Sequence, residues 1–562
     1  MQKNEPVNQE PPVVEENEPV NQEPLIAEEN GQVGVPVAYS TVRTLLLSAL
    51  FALGAGLLAS LLAIIVMGVL RLVAGVPTPV ELFGSYVLKH INVDTFIKIL
   101  DTFRPNGKTG PLGLALLCMF GLGILLGLPY AAIAGVKLPT QGYRPGRREQ
   151  LTASGLALAM ILLGCILFRD ELPQNFAGLP FVWSAIVSIL GLVSDFAVYA
   201  LVLCLAYRAL LPKQASAAGI QPAQDRRLLL SRVGVAALSV GGAGAAYGLV
   251  NKYLDEFTIY DGMKTAVHGE KTPPITPNSE HYVVTQNTVD PNPSADLWRL
   301  ELTGLVQKPA TYTYEEVQQL PSTSRPITLE CIANAVGNHL IGTAIWQGVS
   351  LQTLLEKHGG ALPNATHVAF YSVDGYNVSL PLKEVLEAEA LLAWRMNGTE
   401  IPVRHGFPMR VLIPGRYGEE NPKWLTRIEL TDHFVGGLYA DQGWYNGQLH
   451  TMSRIDRPES QDKVQRGQTI EMGGIAYAGH RGIQSVELSA DGGQTWQQAQ
   501  LQPRLSQDAW VLWSWQWAPK LTGSYTLVCR ATDGTGEVQT DKMQGTVPNG
   551  AKGYHKVTVE VV

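Results

Sequence analysis

Residues 328–334 read TLECIAN, and Gly337 follows three positions later. Cys331 ends a short apolar segment with the composition of a β-strand and begins a turn rich in small and polar residues. A thiolate at the end of a strand is suited to bind a soft metal or to act as a nucleophile. A lone cysteine is more often a small buried apolar side chain, so the surrounding sequence must distinguish these interpretations.

The other four cysteines provide no partners for Cys331. Three lie inside long apolar runs, at positions 118, 165 and 204, and the fourth is Cys529. Because the chain has no CxxC pair, no CxxCH sequence and no zinc-ligand spacing, we do not expect a disulfide scaffold, a c-type haem or a zinc ribbon. The net charge of −7 provides no basic footprint, so we expect no nucleic-acid partner.

The first 253 residues predict a disordered tail followed by a membrane anchor. Residues 1–43 repeat NEPVNQEP and are rich in Pro, Glu and Gln, a composition too polar to form a core. Residues 44–253 contain apolar runs near the roughly 20 residues that span a bilayer. These runs lie at 44–73, 112–136, 151–168, 181–211 and 228–249. We therefore predict an α-helical anchor with five helices in a lipid bilayer.

Basic residues in the loops predict the orientation of this anchor. They concentrate after the second run, at 137, 144, 147 and 148, and after the fourth run, at 208, 213, 226 and 227. We expect both loops in the cytoplasm, with the amino terminus inside and the carboxyl half on the outer face of the cytoplasmic membrane. The connection at 74–110 is also basic, and part of it is predicted to be an amphipathic helix on the membrane surface. None of the runs contains histidine, so we expect no b-type haem in the anchor.

Two features of the anchor leave alternatives open. Asp195, inside the fourth run, is either a functional residue or a carboxyl that a neighbouring helix satisfies. Arg226 and Arg227 precede the fifth run and resemble a twin-arginine export signal, although they also fit ordinary cytoplasmic loop charge. An export signal at this position would imply that the carboxyl half folds before it crosses the membrane.

After residue 254 the pattern becomes that of a folded α+β domain. We predict strands at 298–302 and 367–373, and helices at 313–320, 351–357 and 382–390. From residue 457, short alternating runs separated by turn signals predict an all-β sandwich. The predicted domains are therefore 1–43, 44–253, 254–456 and 457–562.

An ordered series of motifs runs through the α+β domain and the sandwich. It comprises ITPN at 275–278 with YVV at 282–284, TLEC at 328–331, DGY at 374–376, LAW at 392–394 with MNG at 396–398, HGFPMR at 405–410, KWL at 423–425 and DGG at 491–493. In this order the motifs resemble the sulfite-oxidase family of molybdopterin-dependent oxidoreductases, over about residues 272–562.

Together with the α-helical membrane anchor predicted from the apolar runs, the resemblance implies a multidomain chain. Its other parts would be an α+β molybdopterin domain and an all-β immunoglobulin-like sandwich of the family's dimerisation type. Cys331 would ligate the metal, and Cys331 and Tyr376 would be the catalytic residues. The cofactor, Mo-molybdopterin, would contact Asn278, Tyr282, Val283, Cys331, His405, Arg410, Asn421 and Lys423. A soft thiolate suits a high-valent metal, and cations suit the pterin phosphate. Apart from the motif series, Arg410 and Lys423 would be interpreted as surface charges, and Tyr376 equally well as a half-buried strand residue.

Two departures distinguish this chain from sulfite oxidases. Where those enzymes carry an Arg-Asn-His element in the first loop, this chain reads VTQN at 284–287, and Val336 occupies the position of a substrate-facing arginine. A bound oxyanion needs such cations to offset its desolvation. We therefore expect the cofactor to be retained and the substrate to differ from sulfite.

The sequence thus favours a membrane-anchored molybdenum oxidoreductase that acts on a small-molecule substrate outside the membrane by oxygen-atom or electron transfer. Its partners would be an external electron carrier, cytochrome or quinone-linked, the lipid bilayer and a second copy of the chain in a homodimer. Two alternatives stay open. Cys331 could be the nucleophile of a hydrolase with His339 or His405 as base, or the chain could be a non-catalytic membrane scaffold whose sandwich is an assembly module.

Overall fold

The computed structural model describes residues 41–92, 95, 98–99, 102, 109–173, 178–179, 181–214, 222–257, 272–285 and 290–562. The predicted tail therefore lies almost wholly outside the described residues, as do Gln286 and Asn287 of the first motif loop. Within the described ranges, an amino-terminal helical part is followed by a β-rich part.

The described amino-terminal part is built from helices. They are α1 (Thr41–Ala74), α2 (Pro79–His90), α3 (Thr109–Leu125), α4 (Gly127–Ala134), α5 (Arg147–Leu167), α6 (Phe181–Leu210) and α7 (Pro222–Phe257). Five spans are long and apolar enough to cross a membrane, judged by length and composition: Val42–Ala74, Gly110–Ala134, Arg147–Leu167, Val182–Leu210 and Arg226–Lys252. Each overlaps one of the apolar runs of the sequence. The short helix α2 lies in the connection where part of the chain is predicted to be helical.

Glycines let the helices of this part approach one another closely. A Cβ atom at Gly56 would lie 2.6 Å from the carbonyl oxygen of Ile124, and one at Gly127 would lie 2.3 Å from that of Ala52. Both distances are far shorter than van der Waals contact, so larger residues would force α1 away from α3 and α4. In α6, Asp195 is buried, and its Oδ1 makes no hydrogen bond with any residue in the described ranges.

Ion pairs fasten the two ends of the helical part. At one end, Arg208 of α6 lies 3.3 Å from Glu149 of α5. At the other end, Arg71 of α1 lies 2.9 Å from Glu81 of α2, and both side chains are buried. Glu81 also accepts a hydrogen bond from the backbone N–H of Thr78 at 2.7 Å, which caps α2. The carboxylate of Glu81 therefore both caps α2 and connects α2 to α1.

Residues 299–431 form two sheets and three short helices. The first sheet has the order β2-β1-β10-β5-β6 and consists of β1 (Arg299–Gly304), β2 (Ala310–Thr313), β5 (His367–Ser372), β6 (Asn377–Pro381) and β10 (Leu425–Thr431). The second has the order β3-β4-β7-β8, with β9 beside β7, and consists of β3 (Thr323–Glu330), β4 (Ile341–Ser350), β7 (Leu391–Met396), β8 (Thr399–Glu400) and β9 (Arg410–Leu412). The helices are α8 (Tyr314–Gln318), α9 (Leu351–Lys357) and α10 (Leu382–Glu387).

The local sequence patterns locate these elements well. Helix α9 has the predicted bounds, while α8 and α10 end two and three residues before their predicted ends. β1 and β5 overlap the two predicted strands. Pairing between distant strands, such as the parallel contact of β1 with β10, was not part of the prediction because local periodicity carries no pairing information.

The carboxyl-terminal region contains two sheets that share one buried core. One has the order β11-β13-β17-β16, from β11 (Met452–Arg457), β13 (Ile470–Tyr477), β16 (Gln500–Leu501) and β17 (Val511–Trp517). The other has the order β12-β19-β18-β14-β15, from β12 (Lys463–Val464), β14 (Ile483–Ser489), β15 (Gln497–Gln498), β18 (Gly523–Asp533) and β19 (His555–Val561). Met472, Trp513 and Leu527 are buried between them. β11 begins five residues before the predicted boundary at 457.

This carboxyl-terminal region also holds β3 in place. The backbone N–H of Thr328 donates to Asp508 O at 3.0 Å. The carbonyl of Thr328 accepts from the hydroxyl of Tyr477 at 2.9 Å, and its Oγ1 accepts from the N–H of Trp510 at 2.8 Å. Thr328 lies three residues before Cys331, so the end of β3 is fixed by contacts from a distant part of the chain.

Candidate functional site

Cys331 follows β3 directly and is held by its own loop. Its N–H donates to Leu340 O at 2.9 Å, and its carbonyl accepts from Asn334 N at 2.8 Å. The Asn334 side chain donates to Glu330 Oε1 and accepts from Leu340 N, both at 2.9 Å. Gly337, with a φ of 83°, makes a turn that other residues rarely adopt. The position of the thiol is therefore set by the backbone around it.

The thiol of Cys331 is almost fully buried, with 7% of the residue exposed. Burial, together with the nearby Glu419 carboxyl, raises the pKa of Cys331 to about 12. A neutral thiol is a weak nucleophile, which disfavours the hydrolase alternative. The proposed base His405 directs its Nε2 to Asn278 O at 3.1 Å. A bound metal cation would instead favour the thiolate by direct coordination.

A second group of residues, which is basic, lies where two of the motif loops meet. The rings of His281 and His405 lie 5.4 Å apart, edge to face. Arg410 donates to His405 O at 2.9 Å and to Asn421 O at 3.1 Å. Its guanidinium also lies 5.2 Å from the centre of the Trp346 ring. These contacts bring the HGFPMR motif onto the segment that precedes YVV.

Lys423 completes this basic group, which we call the cradle: His281, His405, Arg410 and Lys423. Lys423 Nζ donates to Val284 O at 3.3 Å, although the motif loops are far apart in sequence. Gly406, with a φ of 116°, permits the approach, because a Cβ atom there would lie 3.1 Å from the Cβ atoms of both Arg410 and Lys423. The glycine of HGFPMR is therefore needed to close the cradle.

The cradle retains unused hydrogen-bonding capacity. Among the described residues, Arg410 Nε has no hydrogen-bond partner, although Arg410 is buried. Burial, with a contribution from the Arg410 charge, lowers the pKa of His281 to about 4. Burial also lowers the pKa of His405 well below its usual range. A buried cation with a free donor fits an anionic group such as the phosphate of a pyranopterin, so the residues present fit Mo-molybdopterin.

Tyr282 connects the cradle to the thiol. Its ring stacks on His281 at 5.3 Å, and its side chain belongs to the same buried cluster as Cys331. A Cβ atom at Gly418 would lie 2.9 Å from the Tyr282 hydroxyl and 3.7 Å from Cys331 Cα. The cradle and the thiol are therefore neighbouring parts of one site.

A cleft lined by aromatic and acidic side chains lies beside the thiol. Its lining includes Tyr376, Glu419, Glu420, Tyr439, Trp444 and Tyr445. The hydroxyl of Tyr376 donates to the carbonyl oxygen of Glu419, and the Tyr376 and Tyr439 rings lie 5.9 Å apart. Burial, followed by the charge of Cys331, raises the pKa of Tyr439. Tyr376 and the Cys331 thiol therefore both lie near Glu419 and Tyr439.

Two carboxyl groups, those of Glu419 and Glu420, line this cleft, and the carboxyl group of Glu330 lies near them. Burial raises the pKa of Glu330 to about 7 and that of Glu420 to about 8. For Glu419, burial and the neighbouring Glu420 raise the pKa well above its usual range. Glu420 Oε1 accepts from Arg416 Nη1 at 3.3 Å, and Arg416 also pairs with Glu384. The nearest arginine is therefore already engaged by carboxylates.

The remaining predicted residues act through the backbone or through packing. Asn278 donates from its side chain to Met396 O at 3.3 Å and meets the cradle only with its carbonyl oxygen. Asn421 accepts from Ile413 N and donates to Tyr417 O, both at 2.6 Å, so its side chain orders the loop between HGFPMR and KWL. Val283 is buried in the first motif loop.

Several residues of the site were absent from the sequence prediction: His281, Glu419, Glu420, Tyr439 and Trp444. His281 directly precedes YVV, and Glu419 and Glu420 lie between the HGFPMR and KWL motifs. Their positions beside motifs are the signal by which the sequence could have indicated them. Tyr439 and Trp444 gave none, because they follow β10 and reach the cleft only through the tertiary fold.

Comparisons with known proteins match the β-rich part of the chain. The family described as oxidoreductase molybdopterin binding domain matches residues 286–439, and the Mo-co oxidoreductase dimerisation domain matches residues 445–562. Human mitochondrial sulfite oxidase (Homo sapiens) is 30% identical over 342 residues, which cover 51% of this chain and 62% of that protein. The NADH nitrate reductase 1 of Phaseolus vulgaris is 28% identical over 333 residues, covering 48% of this chain and 38% of that protein.

The chain thus spans less than two thirds of the length of each of these relatives. Among solved structures, the sulfane dehydrogenase SoxCD from Paracoccus pantotrophus aligns with 23% identity and a TM-score of 0.48, covering 52% of this chain and 83% of that chain. Both matched domains lie in the part of the chain where the motif series, the cradle and the buried thiol occur.

Proposed function

We propose that this chain, which belongs to the sulfite-oxidase family of molybdopterin-dependent oxidoreductases, binds its molybdenum through Cys331 and works on the outer face of the cytoplasmic membrane. The observation that carries the proposal is the arrangement of Cys331 between a basic cradle and an aromatic cleft. When bound, the cofactor supplies two-electron chemistry that couples oxygen-atom transfer to electron transfer.

The residues of the chain have separate tasks in this proposal. Arg410 and Lys423 bind the pterin phosphate, and Tyr282 fills the space between the cradle and the metal position. Asn334 fixes the loop that carries the Cys331 thiol at the end of β3. Tyr376, oriented by its hydrogen bond to Glu419 O, is presented to a small-molecule substrate in the cleft. The electron carrier would be an external cytochrome or a quinone-linked protein.

The orientation in the membrane is supported by contacts at one end of the helical part. Gln442, from the β-rich part, donates to Leu88 O in α2 at 2.9 Å. Lys89 of α2 lies 3.2 Å from Glu171, in the connection between α5 and α6. The basic residues of the predicted cytoplasmic loops, including Arg208, lie at the opposite end. The β-rich part is therefore proposed to lie outside and the amino terminus inside.

The carboxyl-terminal sheets are proposed to form an immunoglobulin-like module that mediates a homodimer. Their two-sheet core and the match to the dimerisation domain support this assignment. With it, the proposed divisions of the chain remain a tail to residue 43, an anchor to 253, a molybdopterin domain to 456 and the sandwich.

Metal analysis of the purified full-length protein tests the central proposal. After co-expression with cofactor biosynthesis, we expect about one molybdenum per chain, with one sulfur ligand fewer in Cys331→Ala by X-ray absorption. Cys529→Ala is the matched control, because Cys529 is equally buried and lies in the carboxyl-terminal core. Absence of molybdenum (and of tungsten) from the unmutated protein would contradict the proposal.

Replacement of two arginines with lysines tests the export proposal, because it keeps the positive charge and removes the guanidinium groups. Arg226 and Arg227 are exposed at the start of α7, and we expect Arg226→Lys with Arg227→Lys to leave the β-rich part inside the cell. The matched control is Arg147→Lys with Arg148→Lys at the start of α5, which should leave protease access to the β-rich part in intact cells unchanged. Equal access in both double variants would show that loop charge alone directs insertion.

A further inference from the structure

The cleft beside Cys331 has an unusual chemical composition for a site that handles oxyanions. Four aromatic side chains and two carboxyl side chains line it: Tyr376, Tyr439, Trp444, Tyr445, Glu419 and Glu420. Its lining residues, all within the described ranges, include no lysine, arginine or histidine. An oxyanion in this cleft would leave water without meeting a compensating cation.

The aromatic side chains form a continuous wall. The rings of Tyr439 and Trp444 stack with centres 4.3 Å apart and an angle of 29°. Tyr376 meets Tyr439 at 5.9 Å and 60°, and its hydroxyl is fixed by the carbonyl of Glu419. Aromatic faces carry partial negative charge and attract cations, most strongly when the cation is a poorly hydrated ammonium group.

One carboxyl group of the same cleft, that of Glu419, has no ion-pair partner among the described residues, whereas Glu420 is paired with Arg416. Both oxygens of Glu419 are buried and make no hydrogen bond of normal geometry with a described residue, although the N–H groups of Glu419 and Ile332 face them. Glu420 is 3% exposed, and its Oε2 likewise has no partner in the described part of the chain. Buried carboxyl oxygens without partners cost free energy. A bound cation would recover this free energy by favouring the ionised form of Glu419, whose pKa is otherwise raised by burial and by Glu420.

We propose that the cleft binds the cationic end of the substrate, an ammonium or quaternary ammonium group, with Glu419 as its counter-ion and Tyr439, Trp444 and Tyr376 as its aromatic wall. The valines at 284 and 336, where sulfite oxidases carry substrate-facing cations, agree with this polarity. The inference rests on the proposed function, because the cleft is a substrate site only if Cys331 carries the reactive metal.

Equilibrium dialysis of the purified full-length holoenzyme with isotope-labelled tetramethylammonium tests the inference. We expect tetramethylammonium to bind about tenfold more tightly than tert-butanol, a neutral molecule of similar shape, and sulfite to bind no better than tert-butanol. Glu419→Gln should weaken the binding of tetramethylammonium about tenfold and leave that of tert-butanol unchanged. Glu387→Gln is the matched control, because Glu387 is an exposed glutamate on α10 of the same domain.

Tetramethylammonium binding no tighter than that of tert-butanol, or unchanged in Glu419→Gln, would overturn the inference. If Glu419→Gln fails to fold, the comparison of the three ligands on the unmutated protein still decides, and Tyr439→Leu provides a second variant expected to lose cation binding. Molybdenum is measured in the same samples. A molybdenum-containing protein that prefers sulfite refutes the cation site alone, whereas a metal-free protein that binds tetramethylammonium refutes the proposed function alone.

Discussion

At the scale of single residues, Asn334 is the side chain that closes the Cys331 loop. Its two hydrogen bonds, to Glu330 and from Leu340 N, are both buried. Asn334→Ala leaves a backbone N–H and a carboxyl oxygen without partners, which should cost about 1–3 kcal/mol of unfolding free energy. We expect a lower apparent melting temperature and a lower molybdenum content in the full-length protein.

Asn338 provides the control for this prediction. It lies in the same loop and is exposed, so Asn338→Ala removes a side chain of the same size without breaking a buried contact. We expect its melting temperature and metal content to match those of the unmutated chain. If Asn334→Ala also matches, the loop must be held by its backbone hydrogen bonds alone.

The residue types of the site could be predicted only where they lie in motifs. Cys331, Arg410 and Lys423 are recognisable because the motif series fixes their order along the chain. Glu419 lies between two of these motifs, but the sequence does not predict it, because the basic residues on either side indicate a phosphate site. Trp444 lies outside these motifs and reaches the cleft only through the tertiary fold, so the sequence does not predict it.

At the scale of elements, His555 joins the two carboxyl-terminal sheets. Its Nδ1 accepts from Ile455 N of β11 at 3.0 Å, while His555 itself begins β19. Burial lowers the pKa of His555 to about 4, the Arg454 charge and His339 add to the effect, and Asp456 opposes it. The hydrogen bond therefore depends on a neutral imidazole.

This arrangement predicts a loss of stability in acid. Below the ordinary pKa of 6.5 the unfolded chain binds a proton that the folded chain excludes until about pH 4, so the unfolding free energy falls with pH across this window. The full loss is about 3 kcal/mol. We expect the apparent melting temperature of His555→Gln, which keeps an acceptor for Ile455 N, to fall less than that of the unmutated chain between about pH 7 and pH 4.5. Parallel pH profiles would contradict the prediction.

Elements were predicted best where one physical signal dominates. The membrane-length helices follow from apolar composition, and helix α9 follows from its 3.6-residue periodicity. The two-residue strands β8, β12, β15 and β16 are too short for any period to be detected, and their existence depends on the neighbours with which they pair.

At the scale of the whole molecule, the contact between Gln442 and Leu88 joins the cleft segment to the helical part. Because these two residues are in contact, we expect Leu88→Cys with Gln442→Cys to be joined by a short bis-maleimide in intact cells. The other cysteines will not interfere in the β-rich part, because Cys331 and Cys529 are buried. The measurement is retention of the full-length band after cleavage at a specific protease site introduced between residues 257 and 272.

The control pair is Leu88→Cys with Gln516→Cys, in which the second position is exposed on β17 of the carboxyl-terminal sheets. We expect no cross-link within one chain for this pair. Equal cross-linking of both pairs would contradict the prediction, because it would mean that the β-rich part has no fixed position relative to α2.

Thr328 has a consequence for how this protein can evolve. Three of its polar atoms are bonded by Asp508, Tyr477 and Trp510, all in the region matched by the dimerisation family. A recombination event that replaced this region with an unrelated module would remove those partners from the strand that presents the cysteine. We therefore expect the two matched domains to be inherited as a pair, whereas replacing the helical part would remove none of these three hydrogen bonds to Thr328.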